Sequence, residues 1–334
     1  MKSLRGIIAT LKNTAEQGKA MVSFPKYQAL KLSLLRATTH DPLTPPDPNQ
    51  ITTFLSSAQG PRAASSAAIH SLLHRLRSTD SASVSIKCLV LVHHIIRHGS
   101  FVLVDQLSRH PSSGGRNCLK LSNFRDDSNS LSWDLSTWIR WYARYLEHQV
   151  STCKMLEPFN CLSRREVGTV REEERITALK NIHLMNEMEH LVGLVEEICL
   201  MPRSLLMGNE LVEHIMGMVS EDAMMCMKAM AARVKEFSHR IGCLNFSDSL
   251  ELVFVLKKID VCFDGMVGLF PKAEKDSIWV LSSDLSEKVG MIEPYGEREG
   301  KFREGLSHSL RVTERFRCDE PFMFSSCRYE GKLI

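Results

Sequence analysis

The chain has 334 residues, of which 43% are hydrophobic and 24% are charged, and its formal net charge is +3. This apolar content excludes a wholly disordered chain and is enough for one large core. The small net charge excludes a general electrostatic preference for nucleic acid, so we expect no nucleic-acid partner. No uncharged run approaches the ~20 apolar residues that span a bilayer, so we expect no transmembrane segment and only peripheral membrane contact.

The 10 cysteines include no C-x-x-C pair. Several lie within apolar helical runs, where a thiol behaves as a small hydrophobic group. The N-terminus also lacks the long apolar stretch and the small-residue cleavage site of a secretory signal. We therefore interpret the cysteines as reduced thiols of a cytosolic protein.

Two segments in the first third of the chain have sequence patterns that constrain their local structure. Between Asp41 and Asn49 four prolines exclude a continuous helix. Residues 86–96 are continuously apolar and β-branched, as a buried strand would be. We nevertheless predict a helix there, because the run is longer than a usual strand and ends at Gly99 after two basic residues.

Further along the chain, apolar residues repeat at helical spacing. The clearest segment is 135–146, and residues 184–198 and 212–219 show the same pattern. Asp248, with Glu251 three residues later, indicates a capping box at the start of another helix of about four turns. The pattern predicts an all-α fold in which long helices share a core.

Three blocks of this sequence resemble those of a known family. They are RATTH at residues 36–40, KCL through HH to G at residues 87–99, and LSNFRDDS followed by WDLSTWIRWYARYLE at residues 121–147. Together they make roughly residues 20 to 150 similar to the ANTH domains of monomeric clathrin assembly proteins. The C-terminal half is similar to these domains only in having long helices.

The resemblance implies a right-handed α-solenoid of about ten helices over residues 1–290. A short irregular segment over residues 291–334 would follow, rather than a long clathrin-binding tail. The resemblance also implies an endocytic adaptor that binds phosphatidylinositol 4,5-bisphosphate or another anionic lipid, clathrin heavy chain and vesicle SNAREs. Such an adaptor acts on the cytoplasmic face of plasma-membrane clathrin-coated pits, coated vesicles and the Golgi apparatus.

The headgroup clamp of the family is incomplete in this sequence. In the family, a lysine before Ala-Thr is followed ten, twelve and thirteen positions later by two basic residues and a histidine or tyrosine. Here Arg36 takes the place of the lysine, and Pro46, Pro48 and Asn49 occupy the three later positions. None of these three can offer a charge-assisted hydrogen bond to phosphate. We therefore expect membrane attachment that is weaker, or differently built, than in the family.

The candidate phosphoinositide-binding residues are Arg36, which matches the family, and Lys26, Lys31 and His40, which lie close to it in sequence. Cations near a bilayer surface attract anionic lipid by about 1 kcal/mol each. Ordinary solvated helix charge remains the alternative interpretation.

The sequence contains no P-loop, dinucleotide-binding, zincin or nucleophile-elbow pattern, so we expect neither an enzyme nor a cofactor. His93 and His94 point about 100 degrees apart on a helix and are interpreted as packing residues rather than metal ligands. Trp138 is assigned to the core. The methionine-rich run over residues 216–230 predicts core filling, with an adaptable groove for a partner helix as the alternative.

A second functional class stays open at this point. The same helical solenoid could be a scaffold of the related VHS or ENTH kind, which would recognise cargo or SNARE helices without specific phosphoinositide binding. Lipid binding and clathrin binding are the two properties that discriminate between the classes.

Overall fold

The structure, a computed structural model, describes the chain in five stretches and at two isolated positions. These are residues 28–109, 121–156, 170–204, 208–269 and 278–290, with residues 12 and 119. Within these residues the secondary structure is helical, with eleven α-helices, one 3₁₀ turn and no strand. The predicted C-terminal segment 291–334 and the candidate ligand Lys26 lie outside the described residues.

The helices follow one another with short connections. In chain order they are α1 (Gln28–Ala37), α2 (Pro48–Ala58), α3 (Arg62–Ser78), α4 (Ala82–His98), α5 (Phe101–Arg109), α6 (Ser130–Met155), α7 (Val170–Ala178), α8 (Asn181–Cys199), α9 (Glu210–Arg240), α10 (Phe246–Leu269) and α11 (Ile278–Gly290).

Each helix packs mainly on helices that are near it in the chain. Helix α4 packs on α6, α6 on α8, and α8 on both α9 and α10, while α11 closes against α9 and α10. One buried apolar cluster runs from Leu30 in α1 to Val289 in α11. This layered order confirms the predicted all-α solenoid. No helix among the described residues is both long and apolar enough to cross a membrane.

Helix α4 confirms the helical interpretation of residues 86–96. Nearly all of its residues are buried, including the β-branched ones, because it packs against α3, α5 and α6. Its last turn closes on Gly99, whose N–H donates to the carbonyl of Ile95 at 2.8 Å. A Cβ at position 99 would lie only 2.4 Å from that carbonyl oxygen, so the chain needs glycine here.

The predicted capping residue of helix α10 was wrong by three residues, and the predicted length of the helix was too short. The helix begins at Phe246 and runs for 24 residues to Leu269. Asn245 is the capping residue, since its Oδ1 accepts the N–H of Asp248 at 2.8 Å. Asp248 therefore lies in the first turn. The prediction failed because the helix opens on an exposed phenylalanine, Phe246, ahead of the apolar run used to locate its start.

The family block at residues 121–147 has a structural explanation in this chain. The carboxylate of Asp126 accepts the N–H of Ala82 at 2.8 Å and so caps the first turn of α4. The N–H of Asp126 donates to the hydroxyl of Ser136 at 2.9 Å, which ties the same loop to α6. Asn129 caps α6 by accepting the N–H of Ser132 at 3.1 Å. These polar residues fix the junction between α4 and α6.

The central helices share a buried polar cluster as well as an apolar core. Asp222 of α9 accepts hydrogen bonds from His93 Nε2 at 2.5 Å, Tyr145 hydroxyl at 2.7 Å and Gln149 Nε2 at 2.6 Å. The Tyr142 hydroxyl lies 2.7 Å from the other ring nitrogen of His93. We call these five residues the central polar cluster; they join α4, α6 and α9, and His93 is a core residue as predicted.

Burial and hydrogen bonding oppose each other at the carboxyl of Asp222. Burial raises its pKa, but the neighbouring His93 and the hydrogen bonds from His93 and Tyr145 outweigh burial and hold the pKa below its ordinary value. Burial also raises the pKa of the Tyr145 hydroxyl well above its ordinary value. The cluster therefore contains an ionised carboxylate stabilised by donors from two other helices.

The aromatic and methionine predictions are mostly confirmed. Trp138 is fully buried, and its indole N–H donates to the carbonyl of Ser204 at 2.7 Å. In the methionine-rich run, Met227 and Met230 are buried in the core, whereas Met224 is exposed. Core filling is therefore the main role of this run.

Candidate functional site

The connection between α1 and α2, residues 38–47, is held in place from below by two buried or half-buried cations. Arg75 of α3 donates from Nε to the Thr38 hydroxyl at 2.6 Å and from a terminal nitrogen to the Thr38 carbonyl at 2.8 Å. Lys87 of α4 donates from Nζ to the Thr39 hydroxyl at 2.8 Å. The Ala-Thr-Thr motif is therefore an anchor for this segment, which we call the 38–47 loop.

The far side of the same loop rests on the start of α9. The N–H of Leu211 donates to the carbonyl of Leu43 at 2.9 Å, and the Asn209 side chain donates to the carbonyl of Pro42 at 3.3 Å. Within the loop, Asp41 accepts the N–H of Leu43 at 3.1 Å and the Thr44 hydroxyl at 2.6 Å. These bonds to α3, α4 and α9 give the 38–47 loop one defined conformation.

Lys87 places a positive charge beneath the loop. Burial lowers the pKa of its ammonium from 10.5 to about 8, and the nearby carboxylate of Asp41 partly opposes this change. Because this value is still above 7, most molecules keep the ammonium protonated at neutral pH. The charge is fully buried, so it acts on the loop rather than as a direct ligand.

The structure separates the predicted lipid-binding residues. Arg36 is exposed in the last turn of α1, and His40 is half-buried in the 38–47 loop only four residues further on. Lys31 is also exposed, but it precedes Arg36 by five positions and so points about 140 degrees away around the helix. Arg36 and His40 therefore share one region of the surface, and Lys31 faces elsewhere.

The positions that hold the rest of the family clamp have another use in this chain. Pro48 is the first residue of α2, and the Asp47 carboxylate accepts the N–H of Asn49 at 2.9 Å to cap that helix. Pro46 is buried. The start of α2 therefore already carries its own anion, which makes it a poor phosphate site.

Helix α3 carries a basic surface that was not among the residues predicted from the sequence. His70, His74 and Arg77 are exposed and line a surface cavity of about 260 Å³ with Leu73 and Ser78. The two imidazole rings stack with their centroids 6.3 Å apart. The signal was available, since the three basic residues follow one another at intervals of four and three positions, which places them on one helix face. We call these five residues the α3 basic groove.

The bonds between Arg75 and Thr38 connect α3, the helix that carries this groove, to the predicted site. They pin the end of α3 to the end of α1. Arg77 lies two residues beyond Arg75, and Arg36 lies two residues before Thr38. Both exposed cations therefore lie within one helical turn of the Arg75–Thr38 contact, at the helix ends that adjoin the 38–47 loop.

The part of the chain that the structure describes contains no group of three or more His, Cys, Asp or Glu that could hold a metal ion. His94, for example, lies next to two other histidine rings. Its ring stacks on that of His214 at a centroid distance of 6.0 Å, and the ring of His98 lies tilted to it at 5.9 Å. Burial, followed by the charge of neighbouring histidines, lowers the pKa of His94 to about 3, so the imidazole is neutral at physiological pH.

Comparison with known proteins assigns the chain to a family. A family model described as the ANTH domain matches residues 29–236, a range that contains the 38–47 loop, the α3 basic groove and the central polar cluster. The chain belongs to the ANTH domain family. The three sequence blocks at residues 36–40, 87–99 and 121–147 all lie inside the matched range.

Relatives of this ANTH chain extend the similarity beyond the matched range. The Arabidopsis thaliana protein At4g40080, whose name assigns it to the clathrin assembly proteins, is 38% identical over 98% of this chain and 95% of its own length. A second Arabidopsis protein with the same kind of name, At5g10410, is 31% identical over 85% of each chain. A third, At5g65370, is 27% identical over 80% of this chain and 91% of its own length.

Proposed function

We propose that this ANTH chain is a clathrin-coat adaptor that attaches to anionic, phosphoinositide-containing membranes through the 38–47 loop and the cations beside it. The observation that carries the proposal is that exposed Arg36 and Arg77 both lie within one helical turn of the contact that ties α1 to α3, next to a loop that three helices hold in place. Such a surface attracts anionic headgroups and keeps a fixed orientation toward them. Its action is binding, and no covalent bond is made or broken.

The chemistry of this surface favours charge attraction over recognition of one headgroup. Cations near a bilayer contribute about 1 kcal/mol each, and the start of α2, which would complete the family clamp, is capped by Asp47. Membrane attachment would therefore be weak for a single molecule. Several weak contacts to lipid, coat and cargo add through effective concentration at a budding site.

The proposed coat partner is clathrin heavy chain, and the proposed location is the cytoplasmic face of clathrin-coated pits and vesicles. Support comes from the relatives, whose names describe clathrin assembly. A pull-down of the full chain on the clathrin heavy-chain terminal domain tests this partner. Retention is the expected result, whereas failure to retain the chain would favour the scaffold interpretation.

Liposome co-sedimentation tests the membrane surface. We expect the chain to pellet with vesicles that contain phosphatidylinositol 4,5-bisphosphate and to stay in solution with vesicles of phosphatidylcholine alone. Arg36→Ala and Arg77→Ala should each lower the affinity for the charged vesicles about fivefold, the equivalent of ~1 kcal/mol. Arg171→Ala is the matched control, because this arginine is equally exposed but lies on α7.

Two outcomes would contradict the membrane proposal. Equal pelleting with charged and neutral vesicles would show that membrane binding does not require anionic lipid. An equal loss of affinity in all three arginine variants would mean that only the net charge of the protein matters, and not this surface.

A second binding activity is favoured by the outer face of α10. Phe246, Leu250 and Phe254 follow one another at intervals of four residues and are between 47% and 70% exposed. An apolar stripe of this kind fits the apolar face of a partner helix, such as a vesicle SNARE or a cargo helix. Phe254→Ala should weaken binding of a vesicle SNARE peptide without changing the affinity for charged liposomes. Unchanged peptide binding would exclude this stripe.

A further inference from the structure

Two free cysteines meet where α8 packs against α10. Cys199 is the last residue of α8, and Cys262 lies in the second half of α10. The Cys199 Sγ is 3.6 Å from the main-chain carbonyl oxygen of Cys262.

The backbones of the two helices approach each other closely at this point because of Gly265. This glycine lies three residues after Cys262 and so on the same face of α10. A Cβ at position 265 would lie 3.0 Å from the Cys199 Sγ and 3.9 Å from its Cα. Disulfides require the two Cα atoms to lie within about 7 Å. The missing side chain of Gly265 allows an approach of this kind.

The environments of the two thiols differ in a way that suits stepwise oxidation. The neighbouring Cys262 thiol lowers the pKa of the Cys199 thiol, and the Cys199 thiol, followed by burial, raises the pKa of the Cys262 thiol. Cys199 is also partly exposed, whereas Cys262 is buried. Cys226, in the core, has a pKa raised mainly by burial and lacks this access.

We propose that Cys199 and Cys262 form a reversible disulfide under oxidation by a peroxide. The Cys199 thiolate attacks the peroxide, breaks its O–O bond and becomes a sulfenic acid, while one water leaves after protonation. The Cys262 sulfur then attacks the Cys199 sulfur, the S–O bond breaks and a second water leaves. In total, two thiols lose two electrons and two protons, and one hydrogen peroxide becomes two waters. A small dithiol reverses the change.

The bond would tie the end of α8 to α10 across 63 positions of the chain. Closing a loop of this length restricts the unfolded state, so the oxidised protein is more resistant to unfolding than the reduced protein. It would also fix α10, which carries the exposed stripe of Phe246, Leu250 and Phe254, against the rest of the solenoid. The inference does not depend on lipid or clathrin binding.

Oxidation of the full chain with hydrogen peroxide tests the proposal directly. After alkylation of free thiols and proteolysis, mass spectrometry should find one peptide pair that joins Cys199 to Cys262 and disappears after treatment with dithiothreitol. The midpoint of thermal unfolding should rise by about 5 °C on oxidation. Because this test uses the unmodified chain, it does not depend on how well a variant folds.

Variants distinguish this pair from general oxidation. Cys243→Ser, which removes an exposed thiol outside the pair, should keep the cross-linked peptide. Cys262→Ser should leave Cys199 as a sulfenic acid that dimedone traps, whereas Cys199→Ser should leave Cys262 reduced. Peroxide-treated protein in which both cysteines remain alkylated, or in which Cys199 pairs with a different cysteine, would overturn the proposal.

Discussion

The central polar cluster contains one buried charge and another lies beneath the 38–47 loop, but the two charges have different structural roles. In the central polar cluster, the carboxylate of Asp222 accepts hydrogen bonds from donors on two neighbouring helices and has almost no contact with solvent. Beneath the 38–47 loop, the buried ammonium of Lys87 holds an exposed segment from inside. The first arrangement stabilises the helix packing, and the second positions a surface.

This difference predicts that the cluster matters most for stability. Asp222→Ala removes the shared acceptor and leaves buried donors of His93, Tyr145 and Gln149 without their partner. Breaking a buried charged network in this way costs about 3–5 kcal/mol. Urea unfolding should show a decrease of this size in the free energy of unfolding.

The neighbouring residue provides the control for that experiment. Glu221 pairs with Arg97 but is largely exposed, so Glu221→Ala should cost about 1 kcal/mol or less. If both substitutions had the same small effect, the central polar cluster would not be the stabilising feature that its geometry indicates.

The loop anchor should be visible in the pH dependence of stability. Lys87 has a pKa of about 8 in the folded protein and 10.5 when exposed. Between these values the unfolded chain binds the extra proton, so stability should rise with pH, by about 3 kcal/mol in total. Below pH 8 the cost of burying the charge is fully present.

Comparison with a variant isolates this contribution from other groups that titrate at high pH. Lys87→Met should lose the rise, whereas Lys257→Met, at an exposed position of α10, should keep it. Denaturant unfolding at pH 7.5, 9 and 10.5 measures the slope. The same slope in the wild type and Lys87→Met would show that burial of Lys87 does not lower its pKa.

A substitution in the loop itself should affect both stability and binding. Thr38→Val keeps the shape of the side chain but removes the hydroxyl that accepts from Arg75. Loss of a hydrogen bond to a charged group costs about 1.5–3 kcal/mol. We expect lower stability in urea together with weaker liposome binding, while Arg36→Ala should weaken liposome binding alone. If Thr38→Val left liposome binding unchanged, the Arg75–Thr38 contact would not be needed for lipid binding.

The sequence predicted the framework of the molecule better than its site. Gly99 and the length of the apolar run were enough to identify α4 as a helix, since both act locally. The anchors Arg75 and Lys87 contact Thr38 and Thr39 across 37 and 48 positions, and no local pattern contains such contacts.

The candidate lipid-binding cations also show that a local sequence pattern does not contain contacts between distant residues. Arg36 was found from the family resemblance, but the α3 basic groove was missed although its helical spacing was visible. What could not be read from the sequence was that the Arg75 contact brings the end of α3 beside the end of α1. The position of α3 relative to α1 depends on tertiary structure, whereas the spacing along one helix does not.

The smallest expected effect is an increase in liposome affinity, opposite in sign to the decreases predicted above, and so it tests the surface most selectively. Asp41 lies within the 38–47 loop and holds its turn by accepting the Leu43 N–H and the Thr44 hydroxyl. Asp41→Asn keeps an acceptor oxygen but removes a negative charge that opposes anionic lipid. We expect liposome affinity to rise about fivefold, the equivalent of ~1 kcal/mol. The control Glu174→Gln removes one negative charge from an exposed position of α7 and should change the affinity much less. If Asp41→Asn left the affinity unchanged while Arg36→Ala lowered it, the lipid would contact the end of α1 and not the loop.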